Sequence, residues 1–307
     1  MSEKQTDFKT ILQDLKVSFR FAAKNIVSFF LGMLGVLIVS VLLLAVVAIL
    51  IFVPILIVVF SSGGGFAALE AFFLQVGNEW TTGFGITAIG LSSLIVIPIL
   101  SPFFVAIGAL FGMGREIVES EGTTAQGVFT WYKSKFGPLA AAGGLLFLTV
   151  LIPPSAIILV LGLGYGGLII GLPAAGVSVF STVWLVMSIG ILSMMFPAVI
   201  DGVPVLQAYR QSVRMSIDYF DRVFGVWIAY LLLGIALVLP AVALSPAGPW
   251  PNLVVLGVYG TIMGLFLIFI VVPSFVIALN RVYLILSGDY GVPRDEEHPS
   301  IGMVGGV

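Results

Sequence analysis

From Ile26 to Phe60 the chain runs 35 residues without a charged side chain. As a straight helix that run would measure about 52 Å, against a hydrocarbon core of about 30 Å. It predicts one tilted transmembrane span whose ends enter the interfaces, with a bend near Pro54. The same reading of the other apolar runs gives six spans, over residues 26–60, 83–112, 138–161, 174–199, 224–244 and 253–279. Residues 137–200 are too long for one span. The glycines of 162–167 and then Pro173 supply the turn between two, and Ser245 to Asn252, rich in proline, makes the turn before the sixth. Residues 1–279 thus form a single membrane domain, and residues 280–307 are read as a polar tail, partly disordered.

The basic residues set the expected orientation. All 13 Lys and Arg lie before span one, between spans two and three, between four and five, or after six. The opposite side has Glu70 and Glu79. By the positive-inside rule both termini face the cytoplasm. A first apolar run this long, preceded by charged residues, argues against a secretory signal.

Three shorter stretches, over residues 8–24, 124–136 and 204–222, precede the odd-numbered spans and repeat apolar residues at helical spacing. They suit amphipathic helices lying in the interface. The second and third enter their spans through Phe136-Gly137 and Phe224-Gly225. Each even-numbered span carries a proline near its inner end, in Ser-Pro-Phe-Phe-Val (101–105), Phe-Pro-Ala-Val-Ile (196–200) and Val-Pro-Ser-Phe-Val (272–276). A proline there frees a carbonyl that some other group must satisfy. The fold class is therefore all-α membrane protein: six spans as three repeats of one unit, interfacial helix, span out, span back. On this reading Ile217 rests on apolar surface and Gln211 lies on the wetter face of its helix.

The segment from Val199 to Met215, with its Ala208-Tyr-Arg-Gln-Ser212 core, and then Tyr219 to Gly225, resembles a group of prokaryotic six-span membrane proteins. The group includes the membrane domain attached to some glycerophosphodiester phosphodiesterases. The resemblance implies a fold and a membrane setting. The phosphodiesterase catalytic domain has no counterpart in these residues, and no functional residue is carried over.

The residues suggest no catalytic constellation. Apolar residues make up 60% of the chain and charged residues 9%, far from the composition of a soluble domain. With no cysteine, thiolate chemistry is excluded, and the lone histidine, His298, sits in the tail. No ionisable residue is expected well inside a span, which counts against proton relays, ion coupling and intramembrane proteolysis. Glu116, Glu119 and Glu121 read as a solvated acidic patch, and Gly162-x-Gly164-x-x-Gly167 as a turn rather than a dinucleotide site. Phe66 to Trp80 reads as a small helix on the outer leaflet. Expected helix breaks are Pro98, Pro102, Pro153, Pro154, Pro197 and Pro273. Gly108-x-x-x-Gly112 and Gly260-x-x-x-Gly264 read as close packing inside the chain, or as a face for a partner or a second copy.

These residues point to a non-enzymatic integral membrane accessory, scaffold or lipid-organising protein. The alternative is a transporter or channel for a neutral or lipid-like solute. Neither cofactor nor metal is called for. Expected partners are membrane lipids and another membrane protein or a second copy, with no nucleic acid at a net charge of −2. Expected contacts for anionic lipid are Arg210, Arg214, Lys133, Lys135, Arg20 and Lys16.

Overall fold

A computed structural model describes residues 8–61, 63, 65–67, 70, 71, 74, 86–120, 122–164, 172–246 and 248–288. Every regular element among them is helical. The elements are α1 (Phe8–Lys24), α2 (Ile26–Ser61), α3 (Ile86–Ser120), α4 (Ala125–Ser134), α5 (Phe136–Gly164), α6 (Leu172–Ile191), α7 (Met195–Ile200), α8 (Val205–Asp218), α9 (Phe220–Leu244), α10 (Leu253–Phe266), a π-helical turn (Leu267–Val271) and α11 (Val272–Ser287). Six stretches of these helices are long and apolar enough to cross a membrane. The turn expected at 162–167 and the outer helix expected at 66–80 lie largely outside the described residues.

The helix ends differ from the sequence expectation in an informative way. The second span continues to Ser120 and the sixth to Ser287, so residues 280–287 are helix rather than tail. There Asn280, Val282, Tyr283, Leu286 and Ser287 are buried. Residues 220–222, assigned to the third short helix, open α9 instead. A polar residue does not end a helix that still has a face to bury.

The prolines divide into two kinds. The helices run through Pro98, Pro102, Pro153 and Pro154 without interruption. Pro197 and Pro273 each follow an irregularity by about a turn. Upstream of Pro197 the chain turns at 192–194, where Ser193 N–H donates to Gly190 O (3.3 Å) and Met195 N–H to Leu192 O (3.0 Å). Upstream of Pro273 lies the π-helical turn. A proline has no N–H for the carbonyl four residues back, and a local change of register accommodates the loss.

The described residues pack as two compact units, one drawn from within 8–36, 105–142 and 190–288, the other from within 37–104 and 143–189. In the second unit Ser40 Oγ donates to Pro102 O (3.0 Å), Trp184 Nε1 donates to Thr149 O (3.0 Å), and the rings of Phe104 and Phe147 meet at 6.2 Å. The first unit holds most of the fully buried side chains, including Met113, Ile117, Leu192, Met195, Ile200, Met215, Ile277 and Tyr283. Its core is formed by the neighbouring ends of α3, α7 and α11. There Phe111 stacks on Phe196 at 5.6 Å, and Asn280 Nδ2 donates to Phe111 O (3.0 Å) across the helices.

Candidate functional site

Each short helix joins the following long helix through one residue, and the three joints share one hydrogen-bond pattern. Asn25, Lys135 and Tyr219 donate their N–H to the carbonyl four residues back, at 3.1, 3.0 and 2.9 Å. Their own carbonyls accept from Phe29, Leu139 and Val223, at 2.9, 2.9 and 3.0 Å. Those three donor residues are fully buried. With no spacer at the joint, each short helix is fixed against the start of a span.

Each short helix also docks on another helix end by polar bonds, α4 and α8 on one that precedes them and α1 on the later helices α9 and α11. On α3, Glu116 accepts from Trp131 Nε1 (2.7 Å) and Thr123 Oγ1 (2.6 Å), which holds α4 in place. The approach is close enough that a Cβ at Gly112 would come within 2.3 Å of Trp131, and one at Gly108 within 2.4 Å of Leu139. On α6, the carbonyl of Ile191 loses its helical donor at the 192–194 turn and accepts from both Ser212 and Ser216 of α8, each at 2.8 Å. This carbonyl is freed by the turn itself; the one that Pro197 deprives of a donor is Ser193 O, four residues back.

The third docking is ionic. Asp14 of α1 is 1% exposed. Its carboxylate accepts from Arg222 Nε (3.1 Å) and Nη2 (3.0 Å) and from Arg281 Nε (3.1 Å). Arg222 is equally buried, whereas the Arg281 side chain is 26% exposed. Desolvating one such charge costs several kcal/mol, so a carboxylate and a guanidinium are stable here only together. A second buried carboxylate, Asp201 beyond α7, pairs with Arg115 of α3 and accepts from Tyr283 Oη of α11 at 3.1 Å.

Sequence reasoning missed these residues. Arg115, Arg222 and Arg281, expected outside the spans, lie near one end of helices long and apolar enough to cross a membrane, and are buried or partly buried there. One available signal was the spacing Asp14, Ser18, Ala22, a polar and small stripe along α1 whose members are all buried. The acidic patch also divides: Glu116 is bonded inside and Glu119 pairs with Arg115 at 3.1 Å, while residue 121 lies outside the described residues.

Gln211, expected on the wetter face of α8, lies on its packed face. Ala208, Gln211, Ser212, Met215 and Ser216 are buried against the protein. Ile217 is 67% and Leu206 66% exposed. The expected lipid contacts Lys16, Arg20, Lys133, Arg210 and Arg214 are exposed, and Lys135 is half-buried at its joint. Arg214 Nε lies 3.6 Å from the Asp218 carboxylate. A shallow groove of about 330 Å³ runs along this exposed face, lined by Tyr209, Arg210, Val213, Arg214, Ile217 and Asp218. Gly108 and Gly112 pack inside the chain as read, but Gly260 and Gly264 face open space, a correction to the reading of that pair as internal packing. Among the described residues no three acidic or histidine side chains gather as a metal site would require. Comparison with family models, curated proteins and solved structures finds no match to this chain.

Proposed function

We propose that this chain is a non-enzymatic membrane protein, a scaffold or lipid-organising accessory, built from three copies of one unit. The observation that carries this reading is the way charges are used. The buried carboxylates and guanidiniums pair with each other across helices, and the exposed basic residues stand on short helices fixed to the starts of spans. The first set makes a rigid frame and the second offers a surface. Three features support the repeat: the common hydrogen-bond pattern at Asn25, Lys135 and Tyr219, the helix–span–span order, and the docking of α4 and α8 on the return span before them. α1 docks on α11, the return helix of the third unit, through Asp14 and Arg281. The resemblance to six-span prokaryotic membrane proteins fits the same layout.

In this reading all 13 Lys and Arg face the cytoplasm of a prokaryotic plasma membrane, with both termini. A cysteine at exposed Ser134 should be shielded from an impermeant thiol reagent applied to intact cells, and one at Ser245 should react. The opposite labelling would overturn the orientation. The open face at Gly260 and Gly264 suits a membrane partner or a second copy.

The alternative, a channel or transporter for a neutral or lipid-like solute, draws on the irregular turns before Pro197 and Pro273. Against it, the carbonyl released at the first turn is already taken by two serine hydroxyls. Purified protein in sealed vesicles should produce no solute flux above empty vesicles, with or without a proton gradient. Robust uptake by the protein alone would reverse the order of the two readings.

A further inference from the structure

Aligning α1 and α8 on their joint residues, Asn25 and Tyr219, reveals one pattern on both exposed faces. Leu12, Lys16 and Arg20 occupy the same three register positions as Leu206, Arg210 and Arg214, each triplet spaced four residues apart. Both triplets are exposed, with Leu12 at 49% and Leu206 at 66%. Beneath them, Ser18 and Ser212 occupy equivalent positions and are fully buried, so the two helices present the same face. In α4 the two basic positions hold Gln126 and Thr130 instead.

We propose that these two triplets are equivalent binding sites for an anionic phospholipid, and that α4 has lost the third. The inference rests on the lipid-organising reading and makes it specific. Residues four apart on a helix lie about 5–6 Å from each other, so two cationic groups at that spacing can hold one phosphate between them. Arg is suited to this by its fork of donors. The joint fixes the phosphate-binding turn beside the first turn of a span, where lipid headgroups lie. On α8 the groove continues past Arg210 and Arg214 to Tyr209, Val213 and Ile217, an apolar lining for the glycerol and upper acyl chains. A soluble anion would gain nothing from that lining. Asp218 closes one end of the groove in an exposed pair with Arg214, an interaction that contributes little. The matching position on α1 is Lys24, which makes the α1 site the more strongly cationic of the two.

The test is native mass spectrometry of the full chain released from detergent micelles. Phosphatidylglycerol is titrated in parallel with phosphatidylcholine of the same acyl chains. Two phosphatidylglycerol molecules should be retained in preference to phosphatidylcholine. Lys16→Gln with Arg20→Gln should remove one, and Arg210→Gln with Arg214→Gln the other. Each loss should be about 25-fold in affinity, from about five-fold per basic residue. Asp218→Asn should tighten the α8 site. Lys133→Gln with Lys135→Gln should leave both lipids bound. Retention of both lipids when Lys16, Arg20, Arg210 and Arg214 are all replaced by Gln overturns the two sites while leaving the lipid-organising reading standing. An equal loss in the Lys133, Lys135 variant overturns them too, since it would mean a diffuse basic surface. Equal displacement by glycerol phosphate, or capture of a second copy at these faces, would also overturn them. Absence of any phosphatidylglycerol preference in the unaltered protein would defeat both the sites and the broader reading. The replaced side chains are exposed apart from half-buried Lys135, and unchanged thermal unfolding in detergent checks that each variant is folded.

Discussion

Arg222 and Arg214 stand two turns apart in sequence and live in different solvents. Arg222 is 1% exposed and doubly bonded to Asp14. The Arg214 side chain is 74% exposed and leans on Asp218 at 3.6 Å. The residue type is the same, but Arg222 opens α9 where it meets the packed face of the short helix α1, whereas Arg214 stands on the exposed face of the short helix α8. The face that meets the protein is polar and small, because it must satisfy carbonyls and charges left by neighbouring helix ends. The exposed face is apolar and basic together, a mixture that suits neither a protein core nor open water but does suit a headgroup layer. The comparison teaches that in this fold a short helix is held by its polar side.

The sharpest way to break that comparison is to remove the inner partner. Asp14→Asn would leave two guanidiniums facing each other with one of them fully buried. Removing one member of a buried ion pair typically costs about 3–5 kcal/mol, and a loss of that size should appear as a large drop in the thermal unfolding temperature in mild detergent. Lys16→Gln, two residues away on the exposed face, should leave that temperature nearly unchanged. Replacing the pair together, Asp14→Leu with Arg222→Met, should recover much of the loss, since a packed apolar pair avoids desolvating either charge. Equal effects of Asp14→Asn and Lys16→Gln would mean that α1 is not held by its carboxylate.

The spans were legible because nothing but a membrane explains runs such as 26–60. Their ends were not. Arg115, Asn280 and Arg281 look like the start of a solvated loop until their partners are known. Those partners are Asp201, the Phe111 carbonyl and Asp14. Arg281 meets Asp14 across a separation of 267 residues, a distance over which local pattern says nothing. The prolines were half legible, since an irregular turn precedes Pro197 and Pro273 but the helix runs through Pro153 and Pro154. The exposed basic residues were readable from sequence, and the side of the helix that packs was not. A rule that turns the apolar face inward assumes water outside. Next to lipid, that rule no longer decides the orientation.

A smaller effect sharpens the same point on α8. Gln211 is 7% exposed and Ile217 is 67% exposed, so an identical substitution at the two positions separates the faces. Gln211 lies within hydrogen-bond reach of the Tyr283 hydroxyl, which already donates to Asp201, so Gln211→Asp would place two acids around one hydroxyl. The cost should be about 2–3 kcal/mol, in the range for burying a poorly satisfied polar group. It should appear as a lower unfolding temperature and poorer recovery in detergent. Gln211→Glu should behave similarly, because the penalty comes from the charge and not from the side-chain length. Ile217→Asp adds its charge at an exposed position, where substitutions usually fall within about 0.5 kcal/mol. Its consequence should instead fall on lipid retention, because Ile217 lines the groove beside Arg214. The pair of measurements therefore crosses: Gln211→Asp moves stability and Ile217→Asp moves lipid binding. If Ile217→Asp is the variant that unfolds, the apolar stripe of α8 is what packs on the protein. The assignment of its faces would then have to be reversed, and with it the lipid site.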